Sequence, residues 1–383
     1  MFLLEHDGKS LLARCGLPVA AGVLLDTADF DPSLLPTGPW MVKAQVAAGG
    51  RGKAGLVRAA DDLAAVRRCM ADMLGATHRS MIVRSCRVET RVAQAHEAYL
   101  SFTLDAQAAA VRVMLAADGG VDIEAQAQVA GAVRSLVLAP EADALDAGIA
   151  RLVDGLSPRL SAALGDAARR LARVFVDEDL TLLEINPLFV LVDGTWLAGD
   201  ARIVTDDNAS YRQAGLRALI DDRAVAYPEA WRKEHHGCDY VVVDPQGDIG
   251  LLTTGAGLSM MLIDEMRAAG LRPHNFLDVR TGGLRGDPTR LVDVLRWISE
   301  GPRVKVLLVN IFAGITDLGE FSNLLLEALS RVPQFKVPVV ARLVGTRVDA
   351  ARTVLAARGI ALHTSLDEAL AQVRVHLAEG VPA

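Results

Sequence analysis

Through the first two hundred residues, short runs of alternating apolar and polar side chains are interrupted by stretches with helical spacing. MVKAQV (41–46), MIVRS (81–85), AYLSFTL (98–104), AVRVML (110–115) and VDIEAQ (121–126) read as strands. ADDLAAVRRCMADML (60–74) reads as a helix opened by Asp61 or Asp62, and residues 156–178 as a longer one. TLLEINPLFVLVDGTWLAGDAR (181–202) reads as two strands joined by a turn at Asp193-Gly194. Strand-rich sequence broken by helices predicts an α+β domain.

The pattern changes further along. Residues 206–237 are charged and strand-poor, and read as a helical connection. From Cys238 the order becomes strand, glycine-containing turn, helix, repeated. YVVVD, IGLLTT, FLDV, VKVLLVNIF, VPVVARL and GIALH are the strands; LSMMLIDEMRAAG and RVDAARTVLAARG lie among the helices. Buried strands alternating with amphipathic helices predict an open, parallel α/β sheet, whose ligands bind beyond the carboxyl ends of the strands. The expected division is 1–221, a connector over 222–237, and 238–383.

A chain of 383 residues supports more than one core. The net charge of −7 gives it no general attraction to nucleic acid or an anionic membrane. No apolar run approaches the roughly 18 residues of a membrane span. The opening MFLLEHDGKSLLARCG carries Glu5, His6 and Asp7 where a leader needs an apolar stretch, so it is expected to form the first helix. Cys15, Cys69, Cys86 and Cys238 form no CxxC pair, which fits buried thiols in a reducing cytoplasm.

Two segments carry candidate chemistry. QVAAGGRGKAGLVR (45–58) follows a strand bearing one lysine, Lys43. Its spacing is not that of a Walker A loop, since Ala54 follows Lys53, but flexible backbone N–H groups and cations suit phosphate. A solvated basic turn is the plainer reading of that loop alone. In the second segment, Glu184, Asn186 and Asp200 are expected on facing strands of one hairpin. Carboxylate and amide oxygens converging there would suit Mg²⁺, which keeps water and phosphate oxygens as further ligands.

GLPV, VKAQVAAGGRGKAG, EAYL, LLEINPL, GAGL, NFLDV and LVNIFAGI occur in the order and spacing of the β subunit of succinyl-CoA synthetase, so the chain resembles that family from Gly16 to beyond Ile315. The resemblance implies an ATP-grasp domain followed by a flavodoxin-like CoA-ligase domain. It further implies that Lys43, Gly50, Arg51 and Gly52 hold the phosphates of ATP or GTP, and that Glu89 and Glu97 bind the nucleotide, Glu89 at its adenine and ribose end. Asn186 and Asp200 match the Mg²⁺ ligands. Glu184 matches a glutamate steadying a phosphorylated histidine that belongs, with most of the CoA site, to an α subunit. None of the eight histidines here has the glycine-rich setting which that role needs. The chain is therefore expected to be half of a cytoplasmic enzyme.

Thr254, Gly314, Ile315 and Thr316 fall where the family holds the small carboxylic acid. Thr254 replaces the family's usual asparagine, Arg280 and Thr281 replace glycines, and acidic Asp317 follows Thr316. An added guanidinium suits an acid other than succinate with a further anionic group, unless Arg280 pairs with a nearby carboxylate such as Asp278 or Asp317. Two other readings stand beside the ligase: a non-catalytic relic acting as a scaffold, and a stand-alone ATP-grasp ligase making amide bonds.

Overall fold

The computed structural model describes residues 1–79, 81–120, 132–280, 284 and 286–379. Residues Met1–Arg217 and Ala218–Ala383 form two compact units.

The first unit is built on two antiparallel sheets. One has the order Gly22–Leu25, Cys86–Thr90, Trp40–Ala44, Val57–Ala60. The helix Leu63–Met73, N-capped by Asp62 on the Ala65 amide, lays Val66, Met70 and Met73 against it. Period-two alternation puts Lys43, Arg87 and Glu89 on one face of this sheet, because Lys43 lies opposite Arg87 and Met41 opposite Glu89. The helix Glu5–Arg14 meets those charges with its buried Glu5 and Lys9.

The long strand Leu180–Val190 organises the second sheet. One edge pairs with His96–Asp105. The other is shared, the first half pairing with Arg202–Thr205 and the second with Trp196–Ala198. Pro187 has no N–H to donate, and the register with His96–Asp105 shifts between Ile185 and Leu188. The expected turn is present, with the Asp193 carboxylate accepting from the Thr195 amide. Within the expected strand 81–85 only Met81–Ile82 is strand, paired with Thr77–His78. The expected strand 121–126 lies outside the described residues. Cys86–Thr90, Arg134–Leu138 and the helix Ala142–Val153 join the elements read from the pattern.

The second unit contains a parallel sheet in the order Ile249–Thr253, Val306–Ala313, Val339–Gly345, Leu362–His363. Its strands are buried on both faces. Leu307, Val309 and Ile311 pack with the helices Thr289–Ser299, Leu318–Arg331 and Val348–Ala356, whereas Val306 and Leu308 pack with Ala256–Ala268 and Leu366–Glu379. The helix Pro228–His236, read as connector, packs within this unit: Arg232 stacks on Tyr240 and Trp297, and His236 Nδ1 lies 2.9 Å from Asp293.

Not all the short apolar strands are parallel. Asp239–Val242 and Asn275–Asp278 pair with each other, antiparallel. Fully buried Asn275 joins this pair to the parallel sheet, its amide accepting from Leu251 N and donating to Leu251 O at 2.9 and 2.8 Å. Asn275→Ala strands both backbone groups in the core and is expected to cost about 2 kcal/mol or more, read as a lower urea midpoint. An unchanged midpoint would show that the amide does not hold the two sheets together.

Candidate nucleotide and metal site

The charged face of the first sheet, the first helix and the turn after Trp196–Ala198 meet in one buried cluster. Glu5 Oε1 lies 2.8 Å from Lys43 Nζ and 3.0 Å from Lys9 Nζ, while Glu5 Oε2 lies 2.8 Å from Arg51 Nη2. Glu89 lies 2.7 Å from each of Lys9, Lys43 and Arg87. Arg87 also donates to His6 Nδ1 and to Ala20 O. Lys43 and Lys9 both donate to the carbonyl of Gly199, at 2.6 and 2.7 Å. An unpaired buried charge is costly, so each of these groups depends on the others.

Titration follows from that arrangement. Burial pushes the Glu5 carboxyl up, but Lys43, Lys9 and Arg51 outweigh it and hold it well below the ordinary value. Glu89 is lowered in the same way by Lys43 and Lys9. For Lys43 burial is outweighed by Glu5, Glu89 and Asp200, which raise it; for Lys9 burial, reinforced by Lys43, prevails and lowers it.

The glycine-rich segment closes over this cluster. Gly50 has φ +80°, a left-handed backbone that a side chain would strain, and both Gly50 and Gly52 are exposed. Between them the buried Arg51 turns inward, donating to Ala44 O and, at 3.0 and 2.9 Å, to both oxygens of Asp200. Asp200 lies on the link between the two strands that share one edge of Leu180–Val190, rather than on a facing strand as expected. Pro187 accepts from the Gly199 amide at 2.9 Å, which ties the Asp200 link to the Asn186–Pro187 segment. Asn186 accepts from Gly120 N at 2.9 Å and donates to Gly120 O at 3.0 Å. A Cβ at Gly120 would stand 3.4 Å from Glu97 Oε2, so the exposed Glu97 borders the same place. Glu184 faces Arg202 across the ladder, with 3.5 Å between carboxylate and guanidinium.

Lys43, Arg51, Glu89 and Asp200 thus share one charge network, and Asn186 and Glu97 border Gly120. Glu89, expected at the adenine and ribose end, has its oxygens engaged by Lys9, Lys43 and Arg87. Glu5, Lys9 and Gly199 went unread in the sequence. Their signal was a Glu–Lys pair four residues apart on the phase of the first helix that also carries Leu12. Hard oxygen donors suit Mg²⁺: Asn186 Oδ1 keeps a second lone pair, and the Asp200 carboxylate has more acceptor capacity than its present partners use. Among the described residues no cluster of three or more His, Cys, Asp or Glu could hold a metal, so water and phosphate would complete the shell.

An ATP-grasp domain profile matches residues 2–190, and a CoA-ligase profile matches 252–376. The β subunit of the ADP-forming succinate–CoA ligase of Chloroflexus aurantiacus is 38% identical over 366 residues, covering 93% of each chain. The chain belongs to the succinate–CoA ligase β-subunit family. The same-named subunit of Chloroflexus aggregans is 36% identical over 389 residues, covering 99% of each chain. Family membership places the protein among ligases that form carbon–sulfur bonds. The ATP citrate lyase of Methanothrix soehngenii, solved with citrate and coenzyme A, shares the fold at TM-score 0.73 and 19% identity, over 94% of this chain and 95% of that one.

In the second unit of this ligase-family chain, Thr254 follows the strand Ile249–Thr253, and Gly314, Ile315 and Thr316 follow Val306–Ala313. All four therefore stand at the carboxyl ends of adjacent parallel strands. Ile315 is fully exposed, and Gly314 O accepts from Thr346 Oγ1 at 2.8 Å. The acidic departure has a local role: Asp317 caps the helix Leu318–Arg331 through the amides of Gly319 and Glu320. Arg280 pairs with Asp239 at 2.8 Å rather than with the side chains of Asp278 or Asp317. Asp278 instead accepts from the amides of Gly255 and Arg280. The guanidinium thus has a structural partner, which weakens its reading as a mark of acid specificity. Thr281 lies outside the described residues.

The pH dependence of the first unit carries a definite sign. Both Glu5 and Glu89 sit below the ordinary glutamate value of 4.5 in the folded chain. Their contribution is complete above that value and is lost as pH falls through the folded values. Glu5→Gln is expected to lower stability at neutral pH and to flatten the loss below pH 4.5, read by urea unfolding across pH. An acid limb identical to that of the parent would show that Glu5 contributes nothing to it.

Proposed function

We propose that this chain is the nucleotide-binding half of an NDP-forming acid–CoA ligase. The convergence of Lys43, Arg51, Asn186 and Asp200 within a unit of the ATP-grasp family supports that reading most directly. Lys43 and the Gly50–Gly52 loop receive the phosphates of ATP or GTP, Glu97 completes nucleotide binding, and buried Glu89 acts through Lys43, whose ammonium it holds, rather than at the adenine and ribose end. Asn186 and Asp200 hold Mg²⁺, which supplies neutralisation of phosphate charge when bound. In the structure the three N–H groups of Lys43 are taken by Glu5, Glu89 and Gly199, and Asp200 is held by Arg51. Binding therefore exchanges protein partners for phosphate and metal, without first burying a bare charge.

The phosphoryl group leaves the nucleoside triphosphate for a histidine of an α subunit, steadied by Glu184. It passes to a small carboxylic acid, and the CoA thiol then displaces phosphate to give the thioester. Thr254, Gly314, Ile315 and Thr316 line the acid end of the second unit, and CoA is held mainly by the α subunit. A cytoplasmic location accords with unpaired cysteines and with the lack, among the described residues, of a helix long and apolar enough to cross a membrane.

With a histidine-bearing partner present, Asp200→Ala is expected to lower nucleotide-dependent phosphorylation of that partner by about 100-fold or more, with the fold retained. Unimpaired transfer would remove Asp200 from the metal site. The chain alone is expected to form no acyl-CoA. Thioester formation without a partner would overturn the half-enzyme reading, and a relic would transfer no phosphoryl group with any partner.

A further inference from the structure

Lys9 belongs to no expected site, yet its ammonium is fully buried in the first helix. It binds both oxygens of Glu89, at 2.9 and 2.7 Å, and the Gly199 carbonyl at 2.7 Å. Lys43 takes the second lone pair of that carbonyl at 2.6 Å. The N–H of Gly199 is equally fixed, donating to Pro187 O at 2.9 Å. A Cβ at position 199 would stand 2.4 Å from the Phe189 ring and 2.7 Å from Pro187 O, so only glycine fits this crossing. The peptide plane that begins Asp200 is thereby clamped by two ammonium groups on one side. The Pro187 carbonyl, one residue beyond Asn186, holds the preceding peptide plane through the Gly199 N–H.

We infer that Lys9 is a positioning residue for Mg²⁺, setting Asp200 relative to Asn186 through the Gly199 carbonyl. The inference rests on the reading of Asn186 and Asp200 as the metal side of the nucleotide site. Methionine has similar length and would pack without desolvating a charge. The ammonium is therefore placed for its acceptors, Glu89, Gly199 and the Glu5 carboxylate 3.0 Å away, rather than to fill the core. Burial and the adjacent Lys43 lower its proton affinity, and the Glu5 and Glu89 carboxylates oppose that shift. With the Lys9 ammonium removed, Gly199 keeps one ammonium donor, and the Asp200 link gains freedom to turn away from Asn186.

The test is Lys9→Met in the full chain, with Mg·ADP and metal-free ADP binding measured by calorimetry and folding followed by urea. Mg·ADP is expected to bind about 10-fold more weakly, with metal-free ADP changed by less than about two-fold, as for other residues that orient metal ligands. Should Lys9→Met fail to fold, Lys9→Met with Glu89→Gln removes one carboxylate charge together with the ammonium, and Glu89→Gln alone is its reference. A merely structural lysine would lower the urea midpoint and leave the Mg²⁺-dependent part of binding intact, which overturns the inference. Parent protein that binds no Mg·ADP overturns the site reading and the inference together. Parent that binds it while the variant matches the parent overturns the inference alone.

Discussion

The Glu5 carboxylate is the constraint on which the candidate site depends. Three cations from three separate parts of the chain converge on its two oxygens: Lys9 from the same helix, Lys43 from the adjacent sheet, and Arg51 from the glycine-rich segment. Without that anion the cations would repel one another in a region closed to water, where screening is weak. With it, and with Glu89 on the opposite side, the ammonium of Lys43 stays charged and fixed. A phosphate-binding lysine is useful only in that state.

The same cluster connects the sheets of the first unit. Lys43 and Glu89 belong to one sheet, whereas Gly199 and Asp200 lie on a link at the edge of the other. Proline at position 187 interrupts the ladder and leaves a carbonyl for the Gly199 amide, so both oxygen donors assigned to the metal gather where regular pairing fails. Arg51 then bridges the glycine-rich segment to that gap. The present pairs of Lys43 and Arg51 hold charges that a nucleotide and its metal would otherwise meet uncompensated, which fits a site open to exchange.

Much of this was legible in the residues. Asp62 opening a helix, the change to βα alternation after Cys238, and the lysine strand before a glycine-rich turn all follow from local pattern. Strand direction was not legible, because the short apolar runs YVVVD and FLDV carry no signal that separates an antiparallel pair from a parallel sheet. Glu5 and Lys9 were hidden for another reason. Their partners Glu89 and Gly199 lie far along the chain, and an i,i+4 Glu–Lys pair usually reads as a solvated helix face. The one available clue was that both charges fall on the apolar phase of the first helix. Arg280 was ambiguous for the opposite reason: a conspicuous cation suggests a ligand or an ion pair, and the carboxylate within its reach, Asp239, lies far along the chain.

The most direct test of the charge network as a nucleotide site is a crystal structure of the chain with Mg·ADP. The phosphates are expected beside Lys43 and the Gly50–Gly52 loop, with Asp200 released from Arg51 onto the metal and the Lys9–Gly199 bond retained. Nucleotide bound away from Lys43, or metal held elsewhere with the Arg51–Asp200 pair intact, would contradict the assignment.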